Sequence, residues 1–356
     1  MKKKNTGRIQ FLDGLRGIAI LNVVMFHAYF WYKDIEPFKH YVFFSELFQF
    51  SSLGVQLFFA ISGYVIYMTL FRYKNFKQFI LARYFRLAPA MLIASIIIYL
   101  TSFYVIERPR GPVTNLDFLP SLTFIQPGII NKLTGLDIRV LDGSFWSIFV
   151  EVKFYLIAGT FFYFLKDKKL IGLTIIYAIY IFCSLLINYY KININFLTLL
   201  YNIQYNLGAK EFGWFLLGIS AFKYSIQQQQ KNLLILIFYS LILILLNFSE
   251  NLLKNLAYII TISFFILPFF SEKIKNFLSN PFLLFIGFVS YPLYLLHQNL
   301  VTGMAIKLST KFPNLNPLLY PAIFIIMIIF ISFLIAKSEP KIKKYCWSFF
   351  KIENKI

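Results

Sequence analysis

Apolar runs of about twenty residues alternate with short polar breaks along almost the whole chain. About twenty residues at 1.5 Å each is what an α-helix needs to cross a hydrocarbon core of about 30 Å. The pattern predicts ten spanning helices. They fall at roughly 10–32, 50–71, 84–105, 145–165, 169–189, 205–222, 232–248, 253–270, 281–306 and 317–336. The sixth is interrupted by Lys210 and Glu211, and the third begins in a basic stretch. The fold class is all-α, a polytopic membrane helix bundle. No polar stretch is long enough for a separate soluble domain, so residues 1–356 read as one integral membrane domain. The start, MKKKNTGR before an apolar run, imitates a signal peptide. It has no small-residue cleavage site and carries ionisable side chains, so it reads as an uncleaved first span.

Composition supports this picture: 59% of the 356 residues are hydrophobic. The formal charge of +20 would point to nucleic acid in a soluble chain. Here the charge is divided among short loops, which favours a lipid bilayer and excludes a nucleic-acid partner. With the N-terminus inside, Lys and Arg favour the inner segments by about two to one. Both termini are therefore expected in the cytoplasm. The longest connection, about 106–144, is then external. It carries Pro109, Pro112, Pro120 and Pro127, and connections this long are often functional. Gln227–Gln230 reads as a polar linker, and His40 as a solvated residue of a short outer loop. No internal repeat of a transporter kind is visible. Cys183 and Cys346 form neither a disulfide frame nor a metal site, and no metal is expected.

Against this apolar background the ionisable residues stand out, because a charge inside a bilayer is costly and its default reading is functional. The first span, RIQFLDGLRGIAILNVVMFHAYFWY, holds Asp13, Arg16 and His27. Arg16 and His27 are separated by ~16 Å of helical rise, about half the hydrocarbon core. His27, Gln56, Glu151 and His297 come from four different spans and all fall in the outer half. On the inner side Arg72, Lys74, Lys77, Arg83 and Arg86 follow the second span, with Arg16 at the mouth of the first. They read either as ordinary positive-inside bias or as a clamp for an anionic cytoplasmic ligand, since arginine forks suit phosphate oxygens.

Six segments carry a family resemblance. They are FLDGLRGIAILNVVMFH at 11–27, GVQLFFAISGYVI at 54–66, LARYFRLAPA at 81–90, SFWSIFVEVKFYLI at 144–157, FGWFLLGI at 212–219 and SYPLYLLHQNL at 290–300. In this order the chain resembles the acyltransferase-3 family of integral membrane acyltransferases. Its arginine-x10-histidine motif falls on Arg16 and His27. Its arginine pair before a proline falls on Arg83 and Arg86, and its tryptophan-serine…glutamate motif on Trp146, Ser147 and Glu151. Phe149 stands where the family usually has serine, and Lys153 where glutamine is common; Lys153 points away from Glu151 on a helix and is assigned no chemistry. The resemblance implies transfer of an acyl group, usually acetyl from acetyl-CoA, to a hydroxyl of an extracytoplasmic glycan such as O-antigen, capsule or a lipid-linked saccharide. It places the protein in a bacterial inner membrane. The soluble extension of some members is absent, so any second catalytic domain would be a separate periplasmic partner.

O-acyl transfer needs a base for the acceptor hydroxyl and a stabiliser for the oxyanion. His27 is the expected base, with Glu151 fixing its tautomer and His297 as a second acid/base or hydrogen-bond donor. Arg16, Arg72, Arg83 and Arg86 are expected to bind acyl-CoA. Asp13, Gln56, Ser62, Trp146, Ser147, Tyr155, Tyr291 and Tyr294 are expected to line the pocket. The bland reading of His27 is a helix–helix hydrogen bond, and that of Asp13 is a pair with Arg16. The competing function is a proton-coupled transporter or flippase.

Overall fold

The computed structural model describes residues 9–35, 37–40, 42–165, 171–192 and 194–349. Each of the ten expected spans contains a helix. We label them α1 (Gln10–Tyr29), α2 (Gly54–Leu70), α3 (Phe76–Ser102), α4 (Trp146–Phe164), α5 (Ile171–Ser184), α6 (Phe212–Gln227), α7 (Gln230–Leu246), α8 (Leu252–Ile266), α9 (Pro281–Lys311) and α10 (Leu319–Phe349). Eight segments are long and apolar enough to cross a membrane. The exceptions, α6 and α7, have 16 and 17 residues. The side chain of His40, the arm at 1–8 and the thiol of Cys346 lie outside the described residues.

Several boundaries differ from expectation: α10 runs on to Phe349, well past its expected end at 336, and two others have a clear local cause. The third helix begins eight residues early, at Phe76, because the Asn75 side chain accepts from Gln78 N at 3.0 Å and caps it there. Lys77, Arg83 and Arg86 are therefore helical, and Arg83 is buried rather than spread along a membrane-face loop. The sixth span does not begin at 205. Gly208, at φ +80°, ends a separate helix, Asn195–Leu207, and a tight turn at Ala209–Glu211 leads into α6. Such a φ is cheap only for glycine.

Close helix approach sets the register of the site. Side chains at Gly17 and Gly287 would overlap the backbone of the facing helix, so α1 and α9 pack backbone to backbone and run in parallel. Gly63 and Gly218 do the same for α2 and α6. Small residues at helix crossings in lipid allow this approach, where van der Waals packing drives association.

The bundle has a basic end and a loop end. At the basic end lie the first turn of α1, the last turn of α2 and the helix Glu272–Leu278, whose Leu278 carbonyl meets Gly14. The 103–142 connection caps the loop end and is folded. Buried Asp117 accepts from Thr114 N and Arg139 N, each at 2.8 Å. Buried Arg108 donates to the carbonyls of Ile98 and Leu141 at 3.2 and 2.7 Å, which ties the connection to α3.

Candidate active site

The parallel packing of α1 and α9 puts His27 against His297. Their nearest ring nitrogens, His27 Nδ1 and His297 Nε2, are 3.1 Å apart, and the ring centroids 4.8 Å. His297 Nδ1 lies 2.7 Å from the Tyr294 carbonyl, and His27 Nδ1 lies 3.0 Å from the Val23 carbonyl. A carbonyl oxygen only accepts, so both Nδ1 atoms carry protons. This assigns the tautomers from the hydrogen-bond network. His297 Nε2 is then a lone pair that shares the His27 Nδ1 proton, and His27 Nε2 is left unprotonated. His297 is buried and His27 half-buried, facing an open cavity.

That cavity has a volume of about 600 Å³, and Gln56, Trp31, Trp146, Arg110 and Gln298 line it beside His27. Buried Asp142 supports its rim. Its carboxylate accepts from Ser144 N and Oγ at 2.9 and 2.7 Å and from Asn299 N at 3.1 Å, pinning the turn before α4 to α9. Glu211, in the turn before α6, borders the same space. Burial pushes its carboxyl up to about 7, with neighbouring Lys210 pulling the other way.

Glu151 is elsewhere. Its Oε1 accepts from Ser62 Oγ and Tyr155 OH, both at 2.6 Å. It lines a second, narrow pocket of about 60 Å³ with Arg16, Ser62, Arg86, Ser147, Tyr291 and Tyr294. Arg16 also pairs with Asp13 at 2.8 Å. Arg83 lies over the rings of Phe79 and Tyr155, its guanidinium carbon 5.7 Å from each centroid. Tyr291 donates to the Leu87 carbonyl at 3.0 Å, and the Tyr294 hydroxyl meets Ser147 Oγ at 2.7 Å. Arg72 stands apart, exposed, against Met68 Sδ at 3.7 Å.

The structure thus divides the expected constellation in two. His27, His297, Gln56 and Trp146 meet at the loop-end cavity. Glu151, Ser62, Ser147, Tyr155, Tyr291 and Tyr294 gather with Arg16, Arg83 and Arg86. The group that fixes the His27 tautomer is a carbonyl and His297, not Glu151, whose Oε1 is occupied by two hydroxyls. Asp13 does pair with Arg16 but does not cap α1, whose cap position is Ile9. Sequence reading missed Asp142, Arg110, Glu211 and Gln298. The run Leu141-Asp142-Gly143-Ser144 ahead of Trp146 was the available signal for the first. The others come from segments that touch only in three dimensions. Among the described residues no group of three His, Cys, Asp or Glu side chains can hold a metal ion.

A histidine pair beside an open cavity, inside a polytopic helix bundle, is an arrangement that can move a proton to or from a bound hydroxyl. The acyltransferase domain model matches residues 9–337, and the chain belongs to that family, the acyltransferase-3 family. It is 29% identical over 166 residues to peptidoglycan O-acetyltransferase OatA of Listeria monocytogenes, covering 42% of this chain and 23% of that protein. It is 27% identical over 164 residues to the O-acetyl transferase of Shigella phage Sf6, covering 44% of this chain and 47% of that one. The matches therefore span less than half the length of either relative. No solved structure matches.

Proposed function

We propose that this chain is a membrane-embedded O-acyltransferase. It moves an acyl group, acetyl before any longer chain, from cytoplasmic acyl-CoA to a hydroxyl of an extracytoplasmic cell-surface glycan or lipid-linked saccharide. The observation that carries the reading is the pairing of His27 with His297 at an open cavity of about 600 Å³; with both rings neutral, the contacts to Val23 and His297 leave His27 Nε2 without a proton. Family membership and the names of the two relatives support the chemistry.

His27 Nε2 takes the proton of the acceptor hydroxyl as its oxygen attacks the thioester carbonyl. The imidazolium that forms is shared with His297 through the bond already in place. The tetrahedral oxyanion takes an amide N–H from Gln56 on the same wall. Collapse breaks the carbon–sulfur bond, and His27 returns the proton to the departing thiolate. The ester stays on the glycan and CoA leaves.

In this reading the basic end faces the cytoplasm, as do both termini, and the membrane is the bacterial inner membrane. Arg72, exposed at that end, meets the donor phosphates first, and Arg83, Arg86 and Arg16 continue the positive charge inward. Val55 lines both the narrow pocket and the open cavity, and Phe59 packs on Trp146 between them with ring centroids 6.1 Å apart. A pocket of about 60 Å³ is too small for the donor arm, so these aromatics part when the donor binds. The test is proteoliposomes given labelled acetyl-CoA on the basic-end side and a crude glycan on the other. The expected result is alkali-labile label on the glycan. Movement of glycan without label would overturn the reading in favour of a carrier.

A further inference from the structure

The cavity beside His27 continues into a second of about 580 Å³. The two share Arg110, Gly143, Trp146, Lys210 and Glu211, and Gln126, Lys153 and Tyr205 are among the residues that line only the second. Each volume is in the range that holds a small ligand, about 300–1,000 Å³. Three cations, Arg110, Lys153 and Lys210, line the second cavity against one carboxylate, Glu211.

Lys153 is the most telling of them. Its Nζ donates to Gln126 Oε1 at 2.7 Å and to the Asn206 carbonyl at 2.5 Å. Both acceptors are uncharged, and an ammonium has three N–H groups, so one proton and the full charge remain for the cavity. Among the described residues no carboxylate lies within ion-pair distance of it. Lys153 is half-buried at the wall of an open cavity, so its remaining N–H and its charge face the space that a ligand would enter. Trp146 and Tyr205, 45% and 56% exposed, add ring surface to the same walls. Aromatic faces suit the C–H faces of a sugar ring, and their polar edges suit its hydroxyls. Ammonium and guanidinium groups suit a carboxylate or phosphate.

We infer that the acceptor is an acidic saccharide, a sugar carrying a carboxylate or phosphate. Its acid group sits on Lys153 and Arg110, and its ring lies against Trp146 or Tyr205, so that a neighbouring hydroxyl reaches His27 across the shared wall. The inference rests on the transferase reading for calling this cavity the acceptor site. The contacts themselves need no donor.

The test is therefore a binding measurement without acyl-CoA. The protein is placed in phosphatidylcholine nanodiscs and titrated with tetragalacturonate, with mannose 6-phosphate and with neutral maltotetraose. The expected result is a preference of about tenfold for at least one acidic ligand over maltotetraose, shrinking as salt rises. The two acidic ligands separate carboxylate from phosphate. Lys153→Gln keeps hydrogen-bond donors but removes the charge, and should erase the preference; Lys153→Arg should retain it. Should Lys153→Gln fail to fold, Arg110→Gln, at an exposed position, should reduce the preference instead. Equal affinity for acidic and neutral ligands, no saccharide binding, or a preference that survives both neutral substitutions would overturn the inference. Displacement of tetragalacturonate by added phosphatidylglycerol would also overturn it, by reassigning the cations to a lipid headgroup. A protein that shows the preference yet transfers no acetyl group would sink the transferase reading and leave the acidic ligand standing.

Discussion

The two pockets differ in how their polar groups are used. At the loop end, His27 keeps one ring nitrogen free beside about 600 Å³ of space. At the narrow pocket, about 60 Å³ is left and the polar groups hold one another: Glu151 with Ser62 and Tyr155, Arg16 with Asp13, Tyr294 with Ser147. Buried polar groups that satisfy each other fix an arrangement. A polar group left free at a cavity wall is available to a substrate. On the proposed reading the first pocket serves proton transfer, and the second serves the donor. Substitutions at the first should lower turnover, and substitutions at the second should act mainly through the donor.

The sharpest break is His27→Ala. Transfer should fall by at least 10²–10⁴-fold while expression and membrane insertion stay normal, because a positioned base is lost. Full activity of the purified variant would remove His27 from the mechanism.

His297→Ala comes next, with a turnover loss on the order of 10²-fold. His27 keeps its bond to Val23 but loses the partner that shares the positive charge. A change in acceptor KM with no change in turnover would assign His297 to binding.

Arg16→Ala, Arg83→Ala and Arg86→Ala should raise the KM for acyl-CoA. A hydrogen bond to a charged group is worth about 1.5–3 kcal/mol, roughly ten- to a hundredfold. Arg72→Ala, at the exposed end, should act more weakly and more salt-sensitively. Unchanged donor affinity in correctly inserted protein for all four would leave them with topology and packing alone.

Glu151→Gln should raise the KM for acyl-CoA by roughly tenfold and also lower the melting temperature, because it leaves nearby guanidinium groups short of a counter-charge. A drop in acceptor affinity alone would move Glu151 from the second pocket's role to the first's.

The smallest effect belongs to pH. The Glu211 carboxyl, raised to about 7 by burial, is charged above that pH and protonated below it. Lys210, Tyr177, Tyr180 and Tyr258 surround it. Its negative charge therefore weakens anion binding in the adjoining cavity as pH rises through 7. Tetragalacturonate should bind a few-fold more tightly at pH 6 than at pH 8. Glu211→Gln should remove that slope, and a slope that persists would belong to another group.

Much of this was legible from residue types and spacing. The apolar runs located all ten helices, and six short segments pointed to the family. Two of the misplaced boundaries were set by single residues. Asn75 captured the start of α3, and Gly208 broke the sixth span, in each case by a local backbone device rather than by hydrophobic period. Of the four residues expected at one depth, His27 meets His297 and Gln56 lines the same cavity as His27, whereas Glu151 lines the narrow pocket.

What the sequence determined by itself was the membrane class, the helices, the family and the short set of polar side chains inside the bundle. An apolar run of spanning length has one favourable environment, and an ionisable group within it is conspicuous. Only the tertiary structure decided which of those side chains meet. A helix turns by 3.6 residues, so depth says nothing of facing direction until a neighbour fixes the rotation. Gly17 and Gly287 fixed it for α1 and α9 and gave His27 to His297, while the packing of α4 on α2 gave Glu151 to Ser62.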